Sequence, residues 1–167
     1  MPFVKQIPCQ ECLLNENSIF RHLHKIELGS ISQAKNCSIY RKGSVIFNEG
    51  SRLNNIYCIN RGIVKLYQTG TNGKEQILSF VKKGEIIGHR AVLSGELAAN
   101  SAKVMEDAQI CTIPSETIFS FIGTNPSFSA AIIQMLCIEI NRLTGSLTDL
   151  AQKSVRERLA GDRKSVV

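Results

Sequence analysis

The sequence predicts an α+β chain in which a turn-rich β domain is bracketed by helices. Three observations carry this. Short apolar or alternating segments recur from residue 37 to residue 114, most of them divided by glycine turns. The flanks at 18–34 and 114–121 read as helical rather than alternating. Beyond residue 126, apolar residues fall into a regular three-four spacing.

Taken in order, residues 18–34 predict one or two short helices, interrupted at Gly29-Ser30. Eight short strands follow, at 38–40, 44–47, 55–59, 63–67, 76–81, 85–87, 102–105 and 109–113. Strands so short and so evenly spaced make a roll, a sandwich or a barrel. Asn72-Gly73 predicts a type I′ hairpin, whose two central residues need positive φ. Gly43, Gly50, Gly62 and Gly84 mark further turns. Pro114-Ser115-Glu116 starts a short helix that runs through Phe121, and the stretch 123–126 ends it.

The last segment predicts a long helix over most of 126–159. Ile133, Leu136, Ile140, Leu143, Leu147 and Leu150 lie on one narrow seam, which suits a partner helix better than the broad stripe of a core-facing one. Gly145 weakens this helix by about 1 kcal/mol relative to Ala.

Composition fits a folded domain: 167 residues, 43% hydrophobic and 20% charged. The N-terminus lacks a basic segment followed by an apolar stretch, and no apolar run approaches the roughly 18 residues of a membrane span, so a cytoplasmic protein is expected. In that setting the six cysteines read as thiols, metal ligands or core residues. Cys58 and Cys137 stand among apolar neighbours and are expected to be buried thiols. Cys9 and Cys12 form a CxxC pair, half of a metal-site signature. The net charge of +6 favours a polyanionic partner, but the basic residues are scattered, with short clusters at Lys82-Lys83 and 156–164. No nucleophile–base pairing or glycine-rich phosphate loop stands out, so no enzymatic activity is expected.

Four strings in order, Tyr40-Arg41-Lys42-Gly43 through Glu49-Gly50, Ile56-Tyr57 through Leu66-Tyr67, Gly73-Lys74-Glu75-Gln76-Ile77-Leu78, and Gly84-Glu85-Ile86-Ile87-Gly88, resemble the CRP/FNR-type transcription regulators. The resemblance runs from Cys9 to about Ala160. It implies a cyclic-nucleotide-binding-like β-roll of the double-stranded β-helix or jelly-roll type, with a long dimerisation helix. The divisions it implies are an N-terminal segment with the CxxC pair (1–36), a β-roll sensor (37–125) and a dimer helix (126–160). Residues 161–167 are expected to be a non-native tail, because the six from Asp162 onward are what a sequencing adapter encodes in one frame. In the family a C-terminal helix-turn-helix reads DNA. Val155-Arg156-Glu157-Arg158-Leu159-Ala160 resembles the approach to it, so DNA contact is expected through a domain missing from this chain.

The resemblance also implies a ligand pocket, in altered form. Family members that bind cyclic AMP place a Glu on the ribose and an Arg on the phosphate. Here Gly88-His89-Arg90-Ala91 puts His89 at the first position, and Asn100-Ser101-Ala102 puts Asn100 at the second. Hydrogen bonds to charged groups contribute about 1.5–3 kcal/mol each, so cyclic AMP is expected to bind poorly. For a cofactor, the resemblance implies an iron-sulfur cluster or zinc at Cys9, Cys12 and Cys111, one ligand short of a full set. His22 and His24 are substitutes. The function expected is the sensor and dimerisation portion of a regulator that responds to a small molecule or a redox signal. The alternative is a stand-alone cyclic-nucleotide-binding-like module that regulates a partner protein.

Overall fold

The computed structural model describes Cys9 and residues 18–152, with side chains through 148. It forms two compact units, Met1–Ser129 and Ala130–Val167.

A 3-10 turn, Ile19–His22, opens the first unit, with the Ser18 hydroxyl accepting from the Phe20 N–H at 3.3 Å. Helix α1, Lys25–Ala34, follows. The helical stretch therefore breaks at Leu23-His24 and not at Gly29-Ser30. Glu27 is the cause: its carboxylate accepts the His24 N–H at 2.7 Å and fixes the helix start there. Ser30 stays inside the helix by donating its hydroxyl to the Ile26 carbonyl.

Eight strands then form two four-stranded antiparallel sheets. They are β1 Asn36–Tyr40, β2 Val45–Phe47, β3 Asn55–Arg61, β4 Val64–Thr69, β5 Glu75–Val81, β6 Ile86–Ile87, β7 Ser101–Val104 and β8 Ala108–Pro114. One sheet runs β1-β8-β3-β6 and the other β2-β7-β4-β5. The eight expected strands are all present, wound as a β-roll. The hairpin at Asn72-Gly73 is not type I′. Only Gly73 has positive φ, at 74°. The Gly70 carbonyl accepts the Gly73 N–H at 2.9 Å, and Asn72 Oδ1 accepts the Lys74 N–H at 3.1 Å. Asn72 closes the loop with its side chain, so its backbone need not turn left-handed.

Between the sheets lies the core: Phe47, Ile59, Val64, Leu66, Val81, Ile87, Ala91, Ala98, Ala102, Val104, Ala108 and Ile110. On the far face of the first sheet, α1 and helix α3, Ser115–Thr124, pack against β8. There Phe128 stacks 6.1 Å from Phe20 and meets Phe121 edge-on at 6.0 Å. Aromatic pairs at such spacing add about 0.5–1.5 kcal/mol beyond their burial. The last element, α4, spans Pro126–Gln152 as one helix. Its expected continuation to 159, the 155–160 string and the 161–167 tail lie outside the described residues.

Candidate ligand pocket and helix seam

The pocket residues sit where β6 turns into a helix that the strand and turn pattern did not reveal, α2, His89–Ser94. Gly88 caps it with φ 79°. The positive φ favours glycine, and a Cβ there would fit tightly, 3.2 Å from Leu53 Cδ1 and 3.3 Å from Tyr57 Cδ2. His89 is buried at 5% exposure, Arg90 is exposed, and Ala91 joins the core.

Across the core, Ala102 is fully buried, Ser101 is buried and Asn100 is half-buried. The segment is firmly tied. The Ser101 hydroxyl accepts the Glu49 N–H at 2.9 Å, Gln68 Nε2 donates to the Ala99 carbonyl at 2.7 Å, and Ala98 pairs with the 50–51 backbone through two bonds of 2.8 and 2.9 Å. Ala91 and Ala102 belong to one core cluster. The residue at position 89 is not acidic and the one at position 100 is not a cation.

On β4, Lys65 is buried at 8% exposure. It pairs with Glu75 of β5 and lies 4.9 Å over the Tyr67 ring. The Lys65 contact, its charge and the Lys103 ammonium 3.9 Å away hold the Glu75 carboxyl below the ordinary carboxylate range. Burial, reinforced by Tyr40, pushes the Tyr57 hydroxyl up.

Of the expected cluster or zinc ligands, Cys9 and Cys111 lie among the described residues. Cys111 is joined to Cys37 in a disulfide, which takes its sulfur out of use as a thiolate ligand. The expectation of thiols or metal ligands thus fails at these two positions, while that of core residues holds, since both are buried. Strand register, invisible in the sequence, sets them directly opposite each other. Cys9 is buried, with its N–H donating to Ser32 Oγ at 3.3 Å, and Cys12 lies outside the described residues. Among the described residues, no group of three or more His, Cys, Asp or Glu side chains could hold a metal. Cys58 is buried as expected, but Cys137 is exposed. Its apolar sequence neighbours stand about 100° apart around the helix and do not share its face.

Along α4, Ile133, Ile140, Leu143 and Leu147 are exposed at 62, 60, 47 and 67%, and Leu136 is half-buried. The side chain of Leu150 is outside the described residues. Among the described residues, no single helix is long and apolar enough to cross a membrane.

Comparison with known proteins agrees with this architecture. The family described as "Cyclic nucleotide-binding domain" matches residues 38–125, more than half of the chain. Over 155 residues the chain is 29% identical to the fumarate and nitrate reduction regulatory protein of Vibrio cholerae serotype O1, covering 92% of this chain and 62% of that protein. It therefore spans about 62% of the length of this relative. The fold resembles the Thermus thermophilus catabolite activator protein, with a TM-score of 0.70 and 22% identity over 80% of this chain and 62% of the other. It also resembles the sensor domain of the transcriptional regulator DNR from Pseudomonas aeruginosa, with a TM-score of 0.71 and 17% identity over 81% and 91% of the two chains.

Proposed function

Because this chain belongs to the cyclic nucleotide-binding domain family, we propose that it is the sensor and dimerisation portion of a CRP/FNR-type transcription regulator. The reading rests on the 29% identity that extends over 92% of the chain, beyond the β-roll, to a curated regulator. On this reading the protein is regulatory rather than catalytic and works in the cytoplasm. It reaches DNA through a helix-turn-helix domain.

The sensor is the roll at 37–125, and its effector pocket lies between Gly88, His89 and Arg90 on one side and Asn100, Ser101 and Ala102 on the other. The effector is a small molecule other than cyclic AMP, or a redox signal. With Cys111 tied to Cys37, the residues present do not fit a cluster or zinc at Cys9, Cys12 and Cys111, and neither is part of the proposal.

The observation that carries the dimer is the row of exposed apolar side chains on α4, Ile133, Ile140, Leu143 and Leu147. A second copy of the helix covers that row, each buried Leu or Ile contributing about 1.5–3 kcal/mol before entropy. Sedimentation of the chain and of its Leu143→Lys/Leu147→Lys variant tests it. The chain should sediment as a dimer and the variant as a monomer. A dimer unchanged by the two charges would remove α4 as the interface.

A further inference from the structure

Cys37 of β1, Cys111 of β8 and Cys58 of β3 form one transverse row across the first sheet. Cys111 is the register partner of Cys37 on one side and of Cys58 on the other. Directly paired residues share a face, so all three sulfurs project to the same side. Alternation along β8 places that side opposite Ile110, which belongs to the core, on the face covered by α1 and α3. All three are nearly inaccessible, with exposures of 6, 3 and 2% for Cys37, Cys111 and Cys58.

We propose that these residues make up one thiol–disulfide exchange site in which Cys111 is the shared sulfur. The Cys58 thiolate attacks Cys111 Sγ, a bond forms between Cys58 and Cys111, and the Cys111–Cys37 bond breaks with its electron pair leaving on Cys37 Sγ. The proton given up by the Cys58 thiol ends on Cys37. The step is redox-neutral and needs no external oxidant or reductant.

Strand pairing brings both partners within reach of Cys111. Antiparallel ladders alternate narrow and wide pairs, and Cys37–Cys111, with Cα atoms 4.0 Å apart, is a narrow one. The Cys111 backbone N–H and C=O then face β3, which makes Cys58–Cys111 a wide pair of roughly 5.5 Å, inside the range that disulfides span. Burial closes the site to dissolved thiols, so the neighbouring Cys58 is the attacking group at hand.

The two isomers differ in what they tie together. Cys37–Cys111 fastens β1, an edge strand, and with it α1 immediately before it. Cys58–Cys111 binds two inner strands and leaves β1 without a covalent tie.

Disulfide mapping of the whole chain tests this. The protein is equilibrated in glutathione buffers from reducing to oxidising, quenched in acid, unfolded and alkylated, then cut with trypsin and a glutamate-specific protease for mass spectrometry. The oxidised chain should contain both linkages, with Cys58–Cys111 at about a tenth of the total or more. Cys37→Ala should form Cys58–Cys111, and Cys58→Ala should retain Cys37–Cys111 alone. Recovery of Cys58 fully alkylated at every glutathione ratio, in both the parent chain and Cys37→Ala, overturns the proposal. So does a Cys37–Cys58 linkage in Cys111→Ala, because Cys111 would then not be the shared sulfur. If a variant fails to fold, the parent chain alone decides: a Cys58–Cys111 linkage in it supports the exchange, and fully alkylated Cys58 overturns it.

Discussion

The Asn125 amide donates to both carboxylate oxygens of Glu27, at 3.1 and 2.9 Å, while its own carbonyl oxygen accepts the Phe128 N–H at 3.0 Å. One buried side chain thus caps α4 at its N-terminus, with Pro126 in the first helical position, and anchors the start of α1. Asn125→Ala removes the cap and leaves the Glu27 carboxylate short of a donor. Caps contribute about 0.5–2 kcal/mol and bonds to charged groups about 1.5–3, so the loss should be about 2–5 kcal/mol in urea unfolding. A change below about 0.5 kcal/mol, the range of ordinary surface substitutions, would show that the contact is not formed.

Cyclic AMP should bind weakly. Calorimetric titration should give no submicromolar dissociation constant, because His89 and Asn100 supply neither a ribose acceptor nor a phosphate cation. A His89→Glu/Asn100→Arg variant should gain tenfold or more, since one charged hydrogen bond of about 1.5–3 kcal/mol already amounts to that factor. Tight binding by the unaltered chain would mean that the pocket reading is wrong.

Acid should weaken the fold through two exposed carboxylates. Lys65 first, with Lys103 behind it, depresses Glu75. The Lys42 N–H, then Arg41 at 2.7 Å, depresses Asp107. A depressed carboxylate stabilises the fold above its unfolded value, ordinarily 4.5 and 3.8 here, and that contribution disappears as pH falls through the lower folded values. The urea midpoint should therefore be insensitive to these groups above about pH 5 and drop toward pH 3. Glu75→Gln/Asp107→Asn should show a shallower drop, and an equal drop would assign the acid sensitivity to other groups.

Closing the Cys37–Cys111 link should stabilise the chain against unfolding. The two positions are 74 residues apart, for which loop-closure entropy gives about 4 kcal/mol at 25 °C. Comparing urea midpoints with and without reductant measures this, and a difference under about 1 kcal/mol would contradict the chain-entropy account.

The eight strands can be read from the sequence because each is a short apolar or alternating run, and a glycine follows most of them. So can α4, whose apolar seam repeats from Ile133 to Leu150. Helix α2 cannot, because six residues make fewer than two turns and leave no periodicity to detect. Placing the helix break at Gly29-Ser30 gives weight to glycine where a carboxylate cap, Glu27 on His24, decides the matter. The row of Cys37, Cys111 and Cys58 is illegible for a different reason. It exists only through the register of β1 and β3 on β8, which long-range packing sets and no local pattern records. The pocket positions His89 and Asn100 are located by resemblance alone, since neither residue type has a spacing signature of its own.

Pairing the first strand of the roll with the last has a cost during synthesis. β1 emerges from the ribosome 74 residues before its partner on β8, a delay of roughly 4–15 s at typical elongation rates. Throughout that interval β4 and β5 can close their hairpin, but the first sheet lacks β8, the strand to which both β1 and β3 bond. A nascent chain so arranged exposes unpaired strand edges until translation has passed β8, which favours slow folding and recruitment of chaperones over early assembly.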